Sequence, residues 1–160
     1  MGQHRYMLLS AFIVVTLAAC AKEEPAAPDQ TAGNTVAAPE DGAGVRTLAQ
    51  RMARGGKLYA AHCAACHQAS GQGLAGAFPP LAGSDYLEAG PAAVTDVILN
   101  GLKGPITVNG MVYNSVMPNM SYLGDGDVAD VVTFVMNSWG NPGGEVSAGE
   151  VSAARSKAVP

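Results

Sequence analysis

An all-α domain of three to four short helices, with room for one small hairpin, is the fold this sequence predicts. Three observations point there. Apolar residues recur at helical spacing in three separate segments, and no convincing alternation of apolar and polar residues marks a sheet. Two glycine- and proline-rich stretches, 68–90 and 102–123, separate the helical segments and read as loops. Aromatic residues make up only 6% of the chain. A unit of about 97 residues with two long loops buries little surface of its own, so its core needs a staple or a buried ligand.

The N-terminal segment stands apart from that unit. His4 and Arg5 make a weakly basic start, and Tyr6 to Ala19, YMLLSAFIVVTLAA, is an apolar run. It falls short of the roughly 20 residues a membrane span needs and fits the apolar region of an export signal. It ends in Leu17-Ala18-Ala19-Cys20, which resembles the lipobox of bacterial lipoproteins. That resemblance implies a signal peptide over 1–19, cleaved before Cys20, with Cys20 carrying the lipid. A plain cleaved signal or a short anchor helix, with Cys20 incidental, is the alternative. Residues 21–45 are rich in Ala, Pro, Gly and acidic groups and read as a disordered tether, spanning roughly 25–30 Å.

Within the folded unit, 46–142, the elements come in order. Residues 47–62 place Leu48, Met52, Gly55 and Tyr59 at helical spacing. The pair Gly55-Gly56 weakens that helix by about 1 kcal/mol per residue relative to alanine, which suggests that another backbone comes close there. Residues 91–101 open on Pro91, favoured in a first turn, and stop near Gly101. The hairpin belongs to ITVNGMVY, turning at Asn109-Gly110. Residues 125–139 form the clearest helix, with Asp125 and Asp127 in its first turn and one apolar stripe from Val128 to Trp139. Residues 143–160 lack large apolar groups and read as a flexible tail.

Net charge is −4 and the isoelectric point about 5.2, which gives no basic surface for nucleic acid. Inside 46–142, five basic residues face six acidic ones, so long-range steering of a partner is expected to be weak.

The chemistry concentrates in Cys63-Ala64-Ala65-Cys66-His67. Cys-x-x-Cys-His is the attachment signature of c-type haem. Each sulfur adds to one vinyl group of the porphyrin, and one helical turn sets positions 63, 66 and 67 on one face, aiming the His67 imidazole at the iron. A thioredoxin-like pair lacks its βαβ surroundings, a zinc site lacks a clear fourth ligand, and a Cys63–Cys66 disulfide leaves His67 unexplained. One haem c on Cys63 and Cys66 also supplies the apolar body the core lacks. It accounts for all three cysteines: two for haem, one for lipid.

With that motif, GGKLYAAHCAACHQASGQGLAGAFPPLAGS and GMVYNSVMPNMSYLGDGDVADVVTFVMNSWGN resemble class I c-type cytochromes over about residues 52–142. The pattern is most similar to the single-haem domains of bacterial copper nitrite reductases and periplasmic dehydrogenases. The resemblance implies a cytochrome c fold in which the first and last helices cross, with Gly55 and Tyr59 meeting Val131 and Phe134. It implies that the Pro79 carbonyl accepts a hydrogen bond from the proximal imidazole of His67. It implies a methionine as the second axial ligand, and Met117, followed by Pro118 ahead of the last helix, matches that position; Met120 is the alternative. His62 reads as facing away from His67 and as no ligand. Tyr113, Asn114 and Trp139 are left without a role as ligands.

A His67/Met117 haem has no vacant position, which suits electron transfer and disfavours substrate chemistry. The expected function is a membrane-tethered periplasmic electron carrier between respiratory partners, not an enzyme. Copper nitrite reductase, a terminal oxidase and a periplasmic dehydrogenase are the candidate redox partners. An obligate cytochrome subunit of a larger enzyme is the alternative, and an open-site peroxidase or gas-binding protein is disfavoured because 102–123 holds no distal His–Arg pair. Ala21 is not the acidic residue that retains some lipoproteins at the inner membrane, so the outer membrane is favoured.

Overall fold

The computed structural model describes residues 46–157. Cys20, the signal-like segment and the tether lie outside the described residues. Among the described residues there are five helices and one two-stranded hairpin, the all-α class expected, and no helix is long and apolar enough to cross a membrane.

Helix α1 spans Leu48–His62. Thr47 caps it in a reciprocal box: the Gln50 amide donates to Thr47 Oγ1 at 3.3 Å, and the Thr47 amide donates to Gln50 Oε1 at 2.9 Å. A further turn, α2, Ala64–His67, follows directly. A short 3-10 turn over Asp85–Ala89 leads into α3, Pro91–Asn100. Strands β1, Ile106–Val108, and β2, Met111–Tyr113, pair antiparallel, with Val108 opposite Met111. Asn109 and Gly110 turn the hairpin with φ of 49° and 78°, as the Asn-Gly signal requires. Helix α4 spans Asp125–Met136. It is the centre of the core, with Val128, Val131, Val132, Val135 and Met136 all buried.

Helices α1 and α4 meet where the glycine pair suggested. A Cβ built on Gly55 would lie 2.6 Å from Phe134 Cβ and 2.8 Å from the Asp130 carbonyl carbon, and closer still to the Asp130 carbonyl oxygen. Only a residue without a side chain lets the backbones approach so nearly. Tyr59 packs beside this crossing, its ring centroid 5.5 Å from Phe134 and 5.1 Å from Trp139. The Tyr59 hydroxyl donates to the Gln68 carbonyl at 2.6 Å. Burial, with the neighbouring Cys63 second, pushes its pKa up to about 12, so it stays a neutral donor.

Trp139 was expected on the α4 stripe, but the helix ends at Met136. Trp139 takes a left-handed backbone, φ 52°, beyond the helix and turns its ring back onto Tyr59 and Phe134.

Asp130 carries an unforeseen ion cluster. Its side chain is 3% exposed, and Arg51 Nε approaches Asp130 Oδ1 at 3.1 Å. Arg54 Nε and Arg46 Nε approach Oδ2 at 3.5 and 3.7 Å. Arg51 also donates to the carbonyls of Ala129 and Val146 and pairs with Glu145 at 2.8 Å. The guanidinium thereby joins α1, α4 and the chain beyond α4.

The C-terminal residues correct the expectation of a flexible tail over 143–160. Residues Ala148–Lys157 form helix α5, packed on α3 and α4. Val146 and Val151 are buried, the latter completely. A second capping box starts the helix: Glu150 accepts from the Ser147 amide and hydroxyl, both at 2.7 Å, and these bonds hold its carboxyl below the usual carboxylate range. Small residues sufficed because Val151 and Ala154 pack on the core and one arginine fastens the helix, a pattern too sparse to stand out as apolar periodicity.

Candidate haem site

Cys63 closes α1, its amide donating to the Tyr59 carbonyl at 2.9 Å. The amides of Cys66 and His67 then both donate to the Cys63 carbonyl, at 3.1 and 2.9 Å. Residues 63–67 therefore wind one turn that brings both sulfurs and the imidazole to one cavity. Gln68 ends the turn at φ 63°. Cys63 and Cys66 are not joined in a disulfide. Burial, with the adjacent Cys66 second, pushes the Cys63 thiol up to about 11 and keeps it protonated in the bare polypeptide.

His67 is held through one ring nitrogen. Its Nδ1 lies 2.9 Å from the Pro79 carbonyl oxygen. A carbonyl only accepts, so Nδ1 carries the proton and Nε2 keeps its lone pair. Burial lowers the His67 pKa, opposed by the Pro79 bond, and the ring is neutral, as a metal ligand must be. Pro79 thus stands where the resemblance placed it, in a loop tied back by the Leu81 and Ala82 amides, which donate to the Gly71 carbonyl at 2.7 and 2.9 Å.

Met117 lies on the same cavity and is fixed by its own backbone. It exchanges two hydrogen bonds with Leu102, at 3.0 and 2.9 Å, forming an isolated bridge between the end of α3 and the loop before α4. Gly101 makes this approach possible, because at φ 74° an added Cβ would sit 2.6 Å from the Met117 carbonyl oxygen. Met120 also lines the cavity, and its amide donates to the Ile98 carbonyl at 2.8 Å.

The cavity has a volume of about 190 Å³ and an almost wholly apolar wall. Helix α3 contributes Val94, Val97 and Ile98; α4 contributes Val131 and Val135; the hairpin contributes Tyr113. Among the described residues no arginine, lysine or carboxylate lines it. His62, expected to face away from His67, does line the cavity, and its Nδ1 lies 3.4 Å from the Tyr122 hydroxyl. Asn114 is exposed and Trp139 belongs to the α1–α4 crossing. The hairpin's role was not foreseen. Asn109 and Asp85 exchange backbone-to-side-chain bonds at 3.0 and 2.8 Å, latching the hairpin tip to the turn before α3. No periodicity reports such a bond; Asp and Asn in loops are its only sequence trace.

These residues fit a haem on three counts. Two thiols share a turn with an imidazole whose Nε2 is free, the wall is apolar, and a thioether lies on the same cavity. That geometry defines the class: a domain built to attach haem c. The cytochrome c family model matches residues 52–139, more than half of the sequence, and the chain belongs to the cytochrome c family. Its one haem c is attached through Cys63 and Cys66. A cytochrome c-552 of Thermus thermophilus is 46% identical over 98 residues, covering 59% of this chain and 66% of that one. The cytochrome c subunit of a quinone alcohol dehydrogenase from Gluconacetobacter polyoxogenes is 36% identical over 110 residues, covering 66% of this chain and 23% of that one. The cytochrome c subunit of gluconate 2-dehydrogenase from Pantoea cypripedii is 36% identical over 90 residues, 54% of this chain and 20% of that one. The chain thus spans less than two thirds of these relatives' lengths, and under a quarter of the dehydrogenase subunits'.

Proposed function

We propose that this protein is a membrane-tethered electron carrier of the periplasmic face, with His67 and Met117 as the residues that would hold its haem iron. The observation that carries the reading is that His67, with Nδ1 committed to Pro79, and Met117, with its backbone pinned to Leu102, line one apolar cavity. When bound, haem c supplies a one-electron ferric/ferrous couple. The chain's residues prepare that couple. Pro79 orients His67 and raises its donor strength. The Met117 sulfur, a soft donor, would favour ferrous iron and a raised potential. The valine and isoleucine wall excludes water, which opposes accumulation of charge and acts in the same direction.

Replacing Met117 by leucine tests the ligand. Met117→Leu is expected to abolish the far-red ferric charge-transfer band. It should also lower the potential by a sizeable part of the roughly 0.8 V that axial ligands span. Loss of the band in Met120→Leu but not in Met117→Leu would move the ligand to Met120.

Docking is through an apolar rim. Tyr86 and Val116 stand exposed at the cavity, and Met111 and Val112 are exposed on the hairpin beside it. Such a patch on a nearly neutral domain suits a redox protein partner whose association depends little on salt. The dehydrogenase cytochrome subunits among the relatives support a periplasmic dehydrogenase as that partner, and a second reading as its obligate subunit. Copper nitrite reductase and a terminal oxidase are the other candidates. Co-elution with a large enzyme in native extract would favour the subunit reading over the free carrier.

Cys20 is the anchor in this proposal, with the outer membrane favoured. Cys20→Ser is expected to release the protein from membranes with its haem spectrum intact; retention in the membrane fraction would remove the anchor.

A further inference from the structure

Helix α5 lies beyond residue 139, where the family match ends, yet it reaches the loop that carries both methionines. Arg155 makes the connection. Its Nη1 donates to the Ser121 carbonyl at 2.6 Å and its Nη2 to the Leu123 carbonyl at 2.8 Å. Its Nε pairs with Asp125 Oδ1, in the first turn of α4, at 3.0 Å. One guanidinium therefore spans the segment between Met120 and α4. Inside that segment the Leu123 amide donates to the Met120 carbonyl at 3.0 Å, so a constraint on Leu123 passes to Met120 within one turn. The arginine is itself fixed, because completely buried Val151 stands one helical turn before it on α5.

We propose that Arg155 is a positioning residue for the distal loop, holding residues 117–124 closed over the cavity so that the methionine thioether stays at the iron. This rests on reading that loop as the source of the second axial ligand. The planar fork is suited to the task, since it satisfies two backbone carbonyls and a carboxylate together, which a lysine ammonium matches poorly. Loop opening would leave the bound iron accessible to external ligands. The strap therefore sets how fast they enter.

The test uses the full-length holoprotein and compares Arg155→Ala, Arg155→Lys and Arg51→Lys. Hydrogen exchange of the 117–124 backbone and cyanide association with the ferric protein are measured under native conditions. Losing charge-assisted bonds to two loop carbonyls is expected to speed both by about tenfold or more in Arg155→Ala. Arg155→Lys, which keeps the Asp125 pair and disturbs the fold least, should fall between that variant and the wild type. Arg51→Lys weakens the α1–α4 cluster and its ties to Glu145 and Val146, none of which belongs to 117–124, and should lower thermal stability while leaving both rates near wild type. Unchanged cyanide entry in both Arg155 variants would overturn the proposal, as would equal acceleration in Arg51→Lys. The ligand reading fails or stands separately, on the far-red band of Met117→Leu and Met120→Leu, and the exchange of the loop amides is independent of which group binds iron.

Discussion

Gly55→Ala is expected to destabilise the folded protein by about 3 kcal/mol or more, whereas the same change at Gly56 should stay within about 1 kcal/mol of neutral. Both substitutions add a helix-favouring methyl to α1, a gain of about 1 kcal/mol from propensity alone. They differ in what the methyl meets. At Gly55 it would overlap the Asp130 carbonyl and lie 2.6 Å from Phe134 Cβ, atoms that move only if α4 moves. At Gly56 it would meet the tip of the Phe134 ring at 3.1 Å, and a ring can rotate aside. Thermal denaturation of the two variants checks the crossing. Equal stability would mean that the helices tolerate a wider separation than their packing indicates.

Asp130→Ala is expected to cost about 3 kcal/mol, because removing one partner leaves the other's charge buried and uncompensated. The Arg51 side chain is 12% exposed and cannot turn to water without surrendering the carbonyls of Ala129 and Val146. Glu145→Gln tests the same arginine from its outer side. Glu145 is 49% exposed, so its pair is worth at most about 1 kcal/mol. Chemical denaturation should therefore separate the two variants clearly. An Asp130→Ala protein as stable as Glu145→Gln would show that the cluster has no structural weight.

The residues explain why some of this was legible in the sequence and some was not. Helices α1, α3 and α4 announce themselves because each buries one face, and burial of a face writes a period of 3.6 into the chain. The hairpin is legible through Asn109-Gly110, since few other pairs adopt that turn. The Cys63–His67 turn is the plainest of all, because covalent attachment at two points dictates both residue type and spacing. The flexible-tail expectation failed because α5 fully buries only Val151, packs the small Ala154 against the core and is tied further by Arg155. Its one local signal is Ser147-Ala148-Gly149-Glu150, a capping box. Asp130 was legible as an acid but not as a buried one. Composition counts a charge without locating it, and only the crossing at Gly55 brings three arginines to it. The Asp85–Asn109 latch and the Arg155 strap likewise join residues 24 to 34 positions apart, a separation that local patterning does not report.

The proposed arrangement, in which the imidazole of His67 and a thioether from the loop before α4 would both hold the iron, lets electrons pass while substrates find no site. Adding carbon monoxide to the reduced, purified protein at neutral pH tests it most directly. The expected result is an unchanged reduced haem spectrum over minutes. Prompt conversion to a carbon monoxide adduct would show an open coordination position and contradict the assignment.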